Sequence, residues 1–158
     1  MSAKSRMLTV IYLVSILTQL CGCMWFQIGR EYQYAFDQPF SNVVKVEVMK
    51  YHYATKKEDT YATPIIDLDL RTAESLLAEI LELPCYRHIM DPPTSFGDII
   101  LYIEYTNGEA EVLGYPQSVS VRENGQTVWK PYEFNSTQWS ATLLKYVDAD
   151  LVPELDTP

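Results

Sequence analysis

Two hydrophobic periods run along this chain, and each change of period marks an element. Val44, Val46 and Val48 alternate with Lys45 and Glu47, the period-2 pattern of a half-buried strand. The phase then slips, because Tyr51 and Tyr53 lie on odd positions, and a bulge near Met49-Lys50 would return them to the valine face. Residues 55–59 read as a polar turn and residues 60–68 as the returning arm of a hairpin. Ala73, Leu76, Leu77, Ile80 and Leu81 then recur at helical spacing as one apolar stripe. Asp69 or Thr72 can cap this helix and Pro84 stops it.

The second half is strand-rich. Ile99, Leu101, Ile103 and Tyr105 line one face of a strand whose other face carries Ile100 and Tyr102, so it is expected to be central and buried on both sides. Asn107-Gly108 and Asn124-Gly125 are hairpin signals of the type I′ kind. Residues 118–122 and 126–134 supply further strands, and Pro131 places the latter at an edge or a bulge. A second helix begins at Asn135 or Ser136, with Gln138 completing a capping box, and buries Trp139, Leu143, Tyr146 and Val147. The order β-β-α-β-β-β-β-α predicts an α+β fold: a mainly antiparallel sheet with two helices packed on one face.

The first residues follow neither period. Lys4 and Arg6 precede an apolar run over residues 7–20, which closes in Leu20-Cys21-Gly22-Cys23. A basic start, an apolar run and a small residue before a cut site mark a secretory signal peptide. Leu20, Gly22 and Cys23 at the third, first and following positions around that cut resemble the lipobox of bacterial lipoproteins. The resemblance implies that the Cys23 thiol takes a diacylglycerol, that cleavage follows Gly22, and that the new amine is acylated as well. More than one acyl chain anchors a protein stably, whereas one alone binds marginally. Met24 after Cys23 resembles an outer-membrane sorting signal, should the cell have an outer membrane. An uncleaved anchor over residues 7–26, or ordinary secretion, are the alternatives. The expected organisation is a signal peptide at 1–22, a lipid-anchored tether at 23–40, one domain at 41–150 and a disordered tail at 151–158. Over residues 40–147 the pattern resembles small single-domain lipoproteins of Gram-positive bacteria, which implies membership of a type and nothing about activity.

Charge narrows the partners. The formal net charge is −9, and without residues 1–22, which hold Lys4 and Arg6 and no acid, it is −11. Such a body lacks the clustered Lys and Arg that nucleic acid requires, and anionic lipid head groups repel it. No nucleic-acid partner is expected.

Chemistry-bearing motifs are sparse. With 6 Gly and no Walker-type or dinucleotide pattern, a phosphate cradle is not expected. Cys85, His88 and Asp91 cluster in sequence, but a zinc site needs a second ligand pair, so no metal and no cofactor is expected. Cys85 reads instead as the buried end of the first helix. Asp67 with Asp69, and Glu109 with Glu111, each share a strand face, and read as a cap and as solvated strand edges before they read as a cation site or an acid-base pair. Tyrosine is abundant, at 12 residues, and suits both strands and recognition surfaces. Tyr102, Tyr105, Trp129 and Tyr132 are therefore the candidate binding residues, with Cys23 the lipidation site. The expected function is that of a membrane-anchored, extracytoplasmic, monomeric binding module for a protein, peptide or cell-wall component. A small enzyme or enzyme inhibitor at the same location is the alternative.

Overall fold

The computed structural model describes residues 31–52, 61–87, 98–115 and 118–152. Cys23, His88 and Asp91, and the turn expected at 55–59, lie outside the described residues. The described chain is α+β, with two antiparallel sheets and two helices. A large sheet has the strand order β3-β2-β5-β6-β7-β8, where β2 is Val43–His52, β3 Tyr61–Asp67, β5 Ile99–Tyr105, β6 Ala110–Gly114, β7 Ser118–Val121 and β8 Thr127–Lys130. A small sheet has the order β1-β4-β9, from Glu31–Gln33, Pro84–Arg87 and Tyr132–Phe134. The helices are α1, Leu70–Glu82, and α2, Ser136–Leu143.

The expected order of elements is present within this larger set. β5 lies inside the large sheet between β2 and β6, and buries Ile99, Ile100, Leu101, Ile103 and Tyr105. Cross-strand pairs Val46↔Ile103, Val48↔Leu101 and Leu101↔Leu113 build its inner face. These residues share one core with Ala73, Leu76, Leu77 and Ile80 of α1, Trp139 and Leu143 of α2, and Cys85 and Phe134 of the small sheet. Both helices are capped as their sequences require. Asp69 Oδ1 accepts from the Arg71 and Thr72 amides at 3.1 Å each, and Asn135 Oδ1 accepts from the Gln138 amide at 3.1 Å. The second helix ends at Leu143, so Val147 is buried from the turn that follows and Tyr146 is only half-buried.

Several local expectations are corrected. Residues 31–40, assigned to the tether, belong to the body: β1 pairs with β4, and Tyr34 is buried. Val152, assigned to the tail, is fully buried. Cys85 sits on β4, opposite Tyr32 and Phe134, and not on a helix. Its thiol donates to the Tyr32 carbonyl at 3.0 Å, and burial raises its pKa to about 11. Pro131 ends β8 and starts a new sheet, since the chain leaves the large sheet at Lys130 and joins the small one at Tyr132.

The bulges also move. A register shift between Val43 and Lys45 inserts Val44 into β2, which buries Val43 and leaves Val44 exposed. The shift at Val48/Met49 occurs where expected, but the extra residue is Ile65 in β3, beside Pro64, which has no amide to donate. β2 keeps unbroken register with β5 from Lys45 to Lys50, so Tyr51 stays opposite the valine face. Neither Asn-Gly pair forms a type I′ turn, which needs positive φ at both residues. Among the described residues only Gly108 and Gly125 have positive φ, 77° each. Each closes a three-residue loop, with Tyr105 N–H to Glu109 O at 2.9 Å and Arg122 N–H to Gln126 O at 2.8 Å. The asparagines cap these loops, Asn107 Oδ1 accepting from the Glu109 amide and Asn124 Oδ1 from the Gln126 amide. This is the bulged hairpin loop in which glycine alone takes the left-handed conformation.

Trp139 is 2% exposed and stacks on Phe134 with ring centroids 5.2 Å apart, while Trp129 is only half-buried on edge strand β8. Trp139→Ala is expected to cost ~3–5 kcal/mol, and Trp129→Ala clearly less. Denaturant melts of the two variants check this ordering, and the reverse ordering would displace α2 from the core.

Candidate functional site

Alternation along β6 turns Glu111 to the same inner face as Leu113, opposite Ile103 on β5 and Ser120 on β7. Glu111 is 0% exposed. A carboxylate in that position requires partners for every lone pair, and it has them. Tyr34 Oη donates at 2.8 Å and Lys130 Nζ at 2.6 Å to Oε2, while Tyr105 Oη at 2.6 Å and the Asp37 amide donate to Oε1. Lys130 is equally saturated. Its ammonium donates to Glu111, to the Ala35 carbonyl at 3.1 Å and to Asp37 Oδ1 at 3.0 Å, and lies 4.8 Å from the Tyr34 ring centroid. Four acceptor sites and three donors are used, so the pair is closed to any ligand.

The partners of this pair come from far apart in sequence. Tyr34, Ala35 and Asp37 belong to the irregular strap between β1 and β2, Tyr105 to β5, Glu111 to β6 and Lys130 to β8. The pair therefore fastens the strap to the sheet. Burial raises the Tyr34 pKa well above its ordinary value, and the Glu111 charge and hydrogen bond add to it. Tyr105 is shifted strongly the same way, by burial first and then by the bond to Glu111. Both phenols are thus held as donors. For Asp37, burial works against ionisation, but hydrogen bonds from Ser120 and Lys130 and the charges of Lys130 and Arg122 hold its carboxyl below the usual range. A second layer continues outward: Arg122 pairs with Glu109 at 3.1 Å, Gln38 Nε2 reaches Glu109 at 3.3 Å, and Asn42 reaches Gln38 at 3.2 Å.

Above the fastened strap lies a half-open groove of about 540 Å³. Its strap wall is Phe36, Pro39 and Phe40, continued by Val43 at the start of β2; its helix wall is Glu74, Leu77, Ala78 and Leu81 of α1; Tyr105 and Asp37 also line it. Leu81, expected in the core stripe, is 38% exposed, because the stripe turns out of the core at the end of α1 and into this groove.

The structure separates the four candidate binding residues. Tyr102 and Trp129 share a row on the outer face of the large sheet, in direct register through Val112 and Val119. Tyr105 is on the inner face, 2% exposed with its hydroxyl bound to Glu111, so it offers no surface area to a partner beyond its edge in the groove. Tyr132 stands on the small sheet, half-buried, 6.2 Å from the Tyr32 ring and 6.0 Å from Tyr34. Asp69 is a helix cap, as expected, whereas Glu111 is no solvated edge residue. His52 stacks on Tyr61 at 4.6 Å and meets Thr63 Oγ1 at 2.9 Å. Among the described residues no three His, Cys, Asp or Glu side chains are grouped so as to hold a metal ion. The strap and groove were missed because residues 34–40 carry no period. The signal available was Glu111 itself, an acid on the inner phase of a strand that also carries Leu113.

Breaking the buried pair from one side leaves an uncompensated charge, which costs ~3–5 kcal/mol. Lys130→Met is expected to lose that much in urea melts, and Tyr34→Phe about 1–3 kcal/mol for one missing donor. The pH dependence has two limbs. Asp37, with a lowered folded pKa, contributes stability that is complete above the ordinary carboxylate value near ~4 and lost as pH falls through the folded value. Tyr34 and Tyr105, with raised folded pKa values, contribute stability that is complete below ~10 and lost as pH rises further. Melts across pH check both limbs. Asp37→Asn should shrink the acid limb, which Asp69, Glu79 and Glu109 share because they too are held below the usual range. It should also lessen the alkaline limb slightly, because the Asp37 charge adds to both tyrosine shifts. No protein-family model, no curated protein and no solved structure matches this chain.

Proposed function

We propose that this protein is an extracytoplasmic binding module, held to the membrane by lipid on Cys23, which takes its partner in the groove between the strap and α1. The observation that carries the binding reading is the groove itself. It is concave, its walls are mostly apolar, and one wall is pinned in place by a saturated ion pair, which is how a binding site avoids the ordering cost of association. The anchor reading is supported by the Leu20-Cys21-Gly22-Cys23 ending. From Cys23 to Glu31 the chain reaches less than about 30 Å even if fully extended, so the anchor would hold the body close to the membrane. The acidic body, repelled by anionic lipid, then depends on the lipid for attachment.

The row Tyr102-Val112-Val119-Trp129 favours a second surface, on the outer face of the large sheet. Aromatic residues at both ends of an apolar row are of the kind enriched at interfaces.

Two measurements test the proposal. Mass spectrometry of the membrane-bound protein should find an acylated Cys23 at the N-terminus, and Cys23→Ala should move the protein out of the membrane fraction; an unmodified N-terminus elsewhere refutes the anchor. Selection of a displayed peptide library on the full chain in phosphatidylcholine nanodiscs should enrich sequences that are lost on Ala78→Trp, which fills the groove from an exposed helix position. Equal enrichment on both refutes the groove.

A further inference from the structure

We infer that the groove takes a basic, apolar peptide segment, with Glu74 as the carboxylate that selects its positive charge. The inference rests on the binding-module reading and specifies the partner of the same site.

The lining contains two carboxylates, Asp37 and Glu74, and no Lys, Arg or His. Its polar groups are mostly spent. Asp37 is paired with Lys130, Gln38 bridges Glu109 and Asn42, and the Tyr105 hydroxyl is given to Glu111. Glu74, exposed on the helix wall, has no hydrogen bond or ion pair among the described residues. The same groove is lined by Phe36, Phe40, Leu77, Ala78 and Leu81. An occupant therefore gains by burying apolar groups along both walls and by bringing one cation to Glu74, and it finds no unsatisfied donor that would reward an anion.

The rest of the molecule points the same way. Lys45, Arg122, Lys130 and Lys145 each pair with a carboxylate of the body, and the formal charge is −9. The long-range field draws in cations and turns anions away. Shape separates a peptide from a small amphiphile. Small-molecule sites bury ~70–90% of their ligand, whereas this groove is half-open. It has room for a few bulky side chains while the backbone that carries them stays in solvent.

The library selection reads this directly. Sequences enriched on the full chain and lost on Ala78→Trp should combine bulky apolar residues with Lys or Arg. In calorimetric titration, a selected peptide should bind Glu74→Gln about three- to fivefold more weakly, the scale of one partly exposed ion pair, and added salt should narrow that difference. Leu81→Lys, a second groove variant that also adds a positive charge, should lose binding further. Enriched peptides without basic residues, or a basic preference that survives in Glu74→Gln, overturn the inference and leave the groove reading standing. No enrichment over Ala78→Trp removes both. Dodecyltrimethylammonium, below its micelle concentration, binding the groove where selected peptides do not would assign the site to a small cationic amphiphile and overturn the peptide.

Discussion

Glu111 is the constraint around which the described body is arranged. Burying a carboxylate in a sheet face carries a large desolvation cost that one counter-charge rarely repays. Here it is offset by four donors drawn from three separate parts of the chain. Lys130 must end β8 at the right register, Tyr105 must end β5 on the inner face, and the strap must pass close enough to offer Tyr34 and the Asp37 amide. An arrangement that omits one of these leaves a buried polar atom unsatisfied. The network thus specifies one topology more sharply than apolar packing alone does, since hydrophobic contacts tolerate exchange of partners.

The strap has a second consequence. Because it has no strand partner between Gln33 and Val43, its conformation depends on Glu111, Lys130 and the aromatic rings of Tyr34, Phe36 and Phe134. That same segment forms one wall of the groove, and α1, anchored by Ala73, Leu76, Leu77 and Ile80, forms the other. The two walls are therefore held by different physics, one by a polar network and one by helix burial. A partner in the groove reads both, and loss of the polar network alters the groove without disturbing α1.

The outer face of the large sheet is separate from this site. Ile100, Ala110 and Val119 are buried there without joining the main core, while Tyr102, Val112 and Trp129 remain half-exposed. The central strand is thus apolar on its outer side at Ile100 and Tyr102 as well, while Lys45, Glu47 and Glu104 make the neighbouring part of that face polar.

Periodicity alone was enough to define α1, the central position of β5 and the α+β class, and residue type narrowed each helix cap to two candidates, of which Asp69 and Asn135 do the capping. These depend on neighbours in sequence: a stripe at helical spacing buries one face, alternation buries one side of a strand, and an Asp or Asn satisfies amides two or three residues on. Bulge placement was only half legible. The phase slip near Met49 is visible, but the extra residue went to β3 because Pro64 there cannot donate, a fact about the partner strand. The four aromatic candidates share a composition and not a face, since β8 and β9 belong to different sheets on either side of Pro131. Glu111 looked like one of many acids, and residues 34–40 like a tether, because their meaning depends on partners as distant as Lys130. Long-range pairing of buried charge leaves no local period, and only tertiary structure brings its members together.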